Sequence, residues 1–357
     1  MFGGAYRGRR VLLTGHTGFK GSWLALWLQS LGAQVTGLAL APSSDPSHWG
    51  LLALPLPEHR VDIRDAAAVQ KAVLEARPEI VFHLAAQSLV RPSYADPLGT
   101  WGTNVMGTAH VLEACRQAPG LQAIVVVTSD KCYQNHETGT PYRESDPLGG
   151  HDPYSASKAG AELVAGSWRD AFFHAPGAPL LATARAGNVI GGGDWSQDRL
   201  VPDLVRALAA GMPLQVRSPG AVRPWQHVLE SLAGYLLLGQ RLMRGDVAAA
   251  RAWNFGPAAD DACTVAAVLE RLRAHWPQLQ WLAAQGEQPH EAGLLLLDSA
   301  QARAQLRWQP VWDLDEALAA TARWYRAWHE TRRIASREQI DEYAAAAARA
   351  GAEWAGA

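Results

Sequence analysis

The chain has 357 residues, 48% of them hydrophobic, enough for one large domain or two closely joined ones around a well-buried core. With 32 Lys and Arg against 34 Asp and Glu, a formal net charge of −2 leaves no basic excess, which excludes a non-specific nucleic-acid binder. Cys115, Cys132 and Cys263 are widely separated with no C-x-x-C pair, which argues against a disulfide framework or a zinc site and for a reducing, cytoplasmic setting. The longest membrane candidate, around Leu294–Leu297, is far too short to span a bilayer, and no apolar leader precedes the first strand, so no membrane partner is expected.

In chain order, Arg10–Thr14 reads as a strand, followed by a glycine-rich turn and an apolar helix from about Ser22 to Leu31. Strands follow at Gln34–Leu40, Arg60–Asp62 and Glu79–Leu84, with a helix at Ala66–Ala76 between the last two. A helix over Gly102–Gln117 precedes the Ala123–Thr128 strand, and a helix over Tyr154–Phe173 precedes another at Leu180–Arg185. This alternation predicts an α/β fold, a doubly wound parallel Rossmann sheet with right-handed crossovers. From Gly191 onward the segments shorten. Helices at Arg199–Ala210, Val228–Met243, Val265–His275 and Leu314–Trp328 point to a smaller mixed α/β C-terminal substrate domain, and the Ala-rich stretch beyond Arg337 is helix-prone.

The loop TGHTGFKG spaces Gly15, Gly18 and Gly21 as G-x-x-G-x-x-G between the first strand and the first helix. Glycines permit the tight turn and let backbone N–H groups approach a diphosphate, whose charge is favoured at a helix N-terminus. A glycine triplet alone is a weak sign of a dinucleotide site; its strand–turn–helix setting strengthens it. Gly15, Thr17, Gly18, Phe19 and Gly21 are the candidate cofactor residues, with Asp62 and Ile63 flanking the adenine. The acid expected at the end of the second strand is missing; the sequence there reads ALAPSSD, with Ser43 or Ser44 left to meet a ribose and Asp45 farther on. His16 and Lys20 are either partners of a ribose 2′-phosphate or solvated surface groups, so the spacing leaves NAD and NADP both open.

Tyr154 and Lys158 in YSASK stand four apart, on one helix face. A nearby ammonium plus an oxidised nicotinamide favours phenolate; lowering a tyrosine pKa from about 10 to about 7 needs around 4 kcal/mol of differential interaction, within the means of one close cation in a dry site. Tyr154 would then accept a hydroxyl proton as hydride leaves the same carbon. The run VVVTSDK places Thr128, Ser129, Asp130 and Lys131 at the carboxyl end of a buried strand, where open α/β sheets carry their chemistry. An amphipathic-helix pair and a loop pair are the bland alternatives; the glycine loop, strand end and Y-x-x-x-K together favour a redox site.

TGHTGFKG, LAAQ at Leu84–Gln87, TSDKCY and YSASK together resemble the extended short-chain dehydrogenase/reductases, the NAD-dependent epimerase/dehydratase family. TSDKCYQN, GGHDPYSASKAGAELV, RAGNVIGGGDW and VRPWQHVLE are similar to its cytidine-linked 4,6-dehydratase branch, over nearly the whole chain to about Tyr325. The resemblance implies NAD as a regenerated cofactor and conversion of CDP-D-glucose to CDP-4-keto-6-deoxy-D-glucose. It assigns Tyr154 to the C4 hydroxyl proton, Ser129 or Thr128 to the C4 oxygen, and Asp130 to the departing C6 hydroxyl. Lys131 stands where thymidine-linked relatives carry a glutamate base. A lysine near pKa 10.4 is mostly protonated, so either burial lowers it enough to take the C5 proton or it stays cationic and stabilises the enolate.

The resemblance also implies cofactor contacts at Leu84, Ala85, Ala86 and Asn104, and substrate contacts at Gln87, Asn188, Arg199, Arg223 and His227. Arginine suits a diphosphate because its planar fork bonds two oxygens; Arg199 is equally readable as a solvated charge, His227 as a core histidine, and Gln87 and Asn104 as loop fasteners. The expected boundaries are 1–187 for the Rossmann domain with a return segment near 225–260, 188–337 for the substrate domain, and 338–357 for the Ala-rich tail. A homodimer or dimer of dimers through the Gly102–Gln117 and Tyr154–Phe173 helices is implied as well. Two other functions share the scaffold. A 4-epimerase oxidises C4 but has no work for Asp130, and a non-catalytic NAD-binding sensor has none for Tyr154 and Lys158.

Overall fold

The computed structural model describes residues 1–257, 262–285 and 292–356. Positions 258–260, at the end of the expected return segment, lie outside the described residues. Seven strands form one sheet, in which β1 (Arg10–Thr14), β2 (Gln34–Ala39), β3 (Glu58–Arg60), β4 (Ile80–His83), β5 (Ala123–Val127) and β6 (Leu180–Ala186) are joined by Ala252–Phe255. Their spatial order is Ala252–Phe255, β6, β5, β4, β1, β2, β3, and every pairing is parallel. The order reverses between β1 and β4, so a crevice opens at their carboxyl ends. Thr14 fastens that point, its hydroxyl oxygen accepting from the backbone N–H groups of Leu84 and Ala85, each at 3.1 Å.

The strands are buried on both faces, which is why they read as unbroken apolar runs. Val11, Leu13, Phe82 and Val125 point into one core with the apolar helices α1 (Phe19–Ser30) and Val228–Met243; Leu12, Val81 and Ile124 point into the other with Ala66–Ala76 and Gly107–Arg116. The third strand lies two residues earlier than expected, and the predicted Gly102–Gln117 helix opens as a π-helical turn, Gly102–Met106, before the α-helix Gly107–Arg116. Asn104 in that turn binds loop backbone instead of solvent, which is a reason for the wider turn here.

Ala252–Phe255 adds the last parallel strand against β6, register Ala252 to Thr183. Among the described residues, three two-stranded pairings from Val189 onward build the wall over the sheet's carboxyl edge. The Ala-rich segment is a docked helix, Ser336–Arg349, with Ile340, Tyr343 and Ala347 buried in the same core as α1. Phe2 stacks on Trp354, ring centroids 5.0 Å apart, so both ends of the described chain close one core.

Candidate active site

The crevice at the β1–β4 reversal widens into a cleft of about 600 Å³ running from the glycine loop, past the ends of β4, β5 and β6, to the strand Leu214–Val216. At one end, Gly18 is the N-cap of α1, so the first helical N–H groups face the cleft. A Cβ on Gly15, whose φ is +75°, would stand 2.6 Å from the Ala85 nitrogen, and one on Gly21 would collide with the Gly15 carbonyl. Backbone therefore approaches backbone where a diphosphate has to enter. Thr17, Phe19, Asp62, Ile63, Leu84, Ala85 and Ala86 line the same end, as do Ser43 and Ser44; Asp45 does not. Such a cradle fits a dinucleotide.

Neither loop side chain behaves as a ribose-phosphate partner. His16 is wholly buried, its Nε2 2.9 Å from the Glu58 carboxylate, because Gly37 leaves room for its ring. Lys20 turns the other way along the cleft wall, donating to the Tyr235 hydroxyl at 3.2 Å. Burial, with Arg199 and Lys158 nearby, pulls it down to about 7.

The strand-end cluster is held by local caps. Ser129 caps a short turn, Asp130–Cys132, accepting from the Lys131 N–H at 3.2 Å while its own hydroxyl donates to Asp130 Oδ1 at 3.0 Å. Asp130 Oδ2 is buried without a hydrogen-bond partner. Burial raises the Asp130 carboxyl above the ordinary range, against the opposing pull of Lys131. That shift favours the protonated form, the one that can donate. Gly187 belongs to this arrangement, since a Cβ there would press Asp130 Oδ2 at 3.1 Å and Pro224 at 2.8 Å. Lys131 lines the cleft beside them.

The helix Pro153–Phe172 starts where it does because Asp152 accepts from the Ser155 N–H at 3.0 Å and Pro153 fills the first helical position. That start puts Tyr154 and Lys158 into the cleft wall. From the chain's own groups alone, burial pushes Tyr154 up to about 12, with a Ser129 hydrogen bond pulling the other way. Lys158 Nζ lies 3.5 Å from the Val127 carbonyl, and burial pulls it down to about 8.

Thr128 also differs from Ser129. Its hydroxyl donates to Glu162 Oε1 at 2.5 Å, so its proton is committed below the cleft. Glu162 in turn pairs with Arg185 at 2.8 Å and accepts from Thr183, all buried. The sequence reading missed this floor, although Glu162 is the next step of the Tyr154–Lys158 face and Arg185 is a charge inside an apolar strand.

Of the expected substrate contacts, Asn188, Arg199 and Arg223 line the cleft, Arg199 paired with Asp194 at 3.1 Å. For Gln87, Asn104 and His227, implied as ligand contacts, the structure favours the other reading the sequence left open. Gln87 folds back on its own loop, donating to the Leu89 carbonyl at 2.9 Å and the Thr100 hydroxyl at 3.0 Å. Asn104 accepts from the Gln87 N–H at 2.8 Å and donates to Gln87 O and Ser157, fastening the loop, and it does not line the cleft. His227 is a core histidine, wholly buried among Trp23 and Trp312, its Nδ1 accepting from the Leu229 N–H. Burial takes it down to about 3, so it stays neutral.

Comparison with known proteins places this geometry in context. The family described as GDP-mannose 4,6 dehydratase matches residues 12–321. A CDP-glucose 4,6-dehydratase of Salmonella typhimurium is 46% identical over 356 residues, 96% of this chain and 98% of that protein. A dTDP-glucose 4,6-dehydratase of Streptomyces griseus is 29% identical, covering 90% of this chain and 96% of its own. Among solved structures, a dTDP-glucose 4,6-dehydratase from Streptomyces venezuelae with NAD bound superposes with a TM-score of 0.73 at 27% identity, covering 89% of this chain and 97% of that one. An epimerase from Methanothermobacter thermautotrophicus superposes at 0.79 with 25% identity, covering 93% and 96%.

Proposed function

The chain belongs to the GDP-mannose 4,6 dehydratase family, and from that premise we propose that it is an NAD-dependent hydro-lyase converting CDP-D-glucose to CDP-4-keto-6-deoxy-D-glucose and water. The observation that carries the reading is Asp130, a buried carboxylic acid with one unpartnered oxygen on the same cleft wall as Tyr154. An epimerase, which only oxidises and re-reduces C4, has no proton for such an acid to deliver. The choice of cytidine rests on the 46% identity to the Salmonella protein, against 29% for a thymidine-linked one.

In this reading Gly15, Gly18 and Gly21 let backbone N–H groups hold the cofactor's diphosphate, with Asp62 and Ile63 at its adenine end. Bound NAD supplies the acceptor for the C4 hydride and its donor back to C6. Tyr154, which burial raises, needs the positive charge of an oxidised nicotinamide to favour its phenolate before it takes the C4 hydroxyl proton; Ser129 orients that oxygen, and Lys158 is the second cation, on the same helix face. The new ketone acidifies the C5–H. Asp130 then gives its proton to the departing C6 hydroxyl, as general acid. Two roles remain for Lys131: base taking the C5 proton, or cation for the enolate while another group or water takes that proton. Arg199, Arg223 and Asn188 meet the nucleotide-sugar.

A homodimer, or a dimer of dimers, completes the proposal: Leu98, Trp101, Met106, Leu163 and Phe172 are exposed on Pro97–Arg116 and Pro153–Phe172, an apolar face of the kind that a second copy covers. Among the described residues no helix is long and apolar enough to cross a membrane. The test is parallel incubation with CDP-D-glucose and dTDP-D-glucose in the presence of NAD, with product masses recorded. Loss of one water from the cytidine substrate alone is expected; an unchanged hexose mass with altered C4 configuration would mark an epimerase.

A further inference from the structure

At the far end of the cleft, one carboxylate of the chain sits between two arginines brought from distant segments. Asp198 Oδ1 is 3.1 Å from Arg91 NH1 and 2.5 Å from Arg217 NH1, and Arg217 NH2 also donates to the Asp198 carbonyl at 3.2 Å. Arg91 comes from the helix Val90–Ala95 beyond β4, and Arg217 follows the strand Leu214–Val216, so the pair spans the cleft from wall to wall. All three residues line it. Burial alone would raise the Asp198 carboxyl, but Arg91 and Arg217 outweigh it and hold it ionised.

The neighbouring pair is built differently. Asp194, on Arg199, is buried and also accepts from the Ser196 N–H at 3.0 Å, so it is fixed by its own turn. Asp198 is about a third exposed, lies in irregular chain before the helix Leu200–Ala210, and its carboxylate is held by the two arginines. A planar guanidinium fork bonds phosphate oxygens as well as carboxylate ones, and a diphosphate carries more charge than one carboxylate.

We infer that Arg91 and Arg217 form a second clamp for the diphosphate of the nucleotide substrate, and that Asp198 holds their place until the nucleotide displaces it. Entry of the substrate then exchanges one anion for another across the same two guanidinium groups, swinging the Asp198 segment away from the cleft. This inference rests on the nucleotide-sugar reading above.

Two variants test it with opposite signs, read by calorimetric titration with CDP and by steady-state kinetics with CDP-D-glucose. R217Q removes half of the clamp and raises Kd and KM about tenfold, the loss expected for one charge-assisted pair. D198N removes the competing anion and lowers both about threefold. A purely structural ion pair moves both variants in the same direction, because either change breaks it. Weaker or unchanged binding by D198N, or unchanged binding by R217Q, with wild-type turnover intact, overturns the clamp alone. A wild-type protein that neither binds CDP nor turns over CDP-D-glucose brings down the functional reading as well.

Discussion

The cleft wall and the floor beneath it each hold a buried carboxylate, and the two are in opposite states. Asp130 has one hydroxyl on one oxygen and nothing on the other, and burial raises it toward the acid form. Glu162 has Arg185, Thr128 and Thr183 on its two oxygens, and although burial alone would raise it, those partners hold it below the usual range. Depth does not separate them, since both are almost wholly buried. Partner count does. A buried carboxylate without a paired cation is biased toward the acid form, whereas Glu162 is a fixed charge that ties β5, β6 and the Pro153–Phe172 helix together.

The sharpest way to break that contrast is Asp130→Asn, which keeps the shape and removes the proton. Dehydration is expected to fall by roughly 10²–10⁴, the range for a lost general acid. Oxidation at C4 does not use Asp130, so a sugar nucleotide oxidised at C4 but still carrying its C6 hydroxyl should accumulate in quenched reactions analysed by mass spectrometry. A uniform loss of oxidation and dehydration would make Asp130 a positioning residue.

On the floor the expected effect is on stability. Arg185→Met leaves the Glu162 charge buried with only two hydroxyls, a loss of roughly 3–5 kcal/mol in chemical denaturation. Adding Glu162→Gln removes the stranded charge and should recover a large part of it. If the double variant is no more stable than the single one, the Arg185 contribution lies in its packing on Tyr133, 4.9 Å from the ring, and not in charge.

What the sequence made legible is what local spacing encodes. Apolar runs ended by turn residues gave β1, β4, β5 and β6, and a four-residue step gave the shared face of Tyr154 and Lys158. The same step continues to Glu162, but an acid on a helix reads as a solvated face until its partner is known, and Arg185 arrives from another strand. The tip of Lys158 was equally out of reach, because a helix face fixes the Cβ and not the far end of a four-carbon chain. Asp198 lies 107 positions from Arg91, a pairing that no window along the chain contains. The Ala-rich end announced a helix through composition; its docking was written more faintly, in the Ile340, Tyr343 and Ala347 stripe.

That docked helix reaches a third carboxylate, Glu230 of the Val228–Met243 helix, between the two extremes. Glu230 accepts from the backbone N–H groups of Val311 and Trp312 at 3.0 and 2.8 Å and from the Tyr343 hydroxyl at 2.8 Å, three donors but no cation. Burial outweighs them and pushes it up to about 7. An acid whose pKa is higher folded than unfolded, where a glutamate sits near 4.3, binds its proton more tightly in the native state. The stabilisation is therefore full below about 4.3 and is lost as pH rises toward about 7. Its full size is of order 3 kcal/mol, the smallest of the three effects. Urea unfolding at pH 5.5 and 7.5 should show the wild type losing part of this, and Glu230→Gln losing less across the same interval. Equal losses would mean that the three donors suffice to keep Glu230 ionised, and that a cation is not what separates a structural carboxylate from a reactive one.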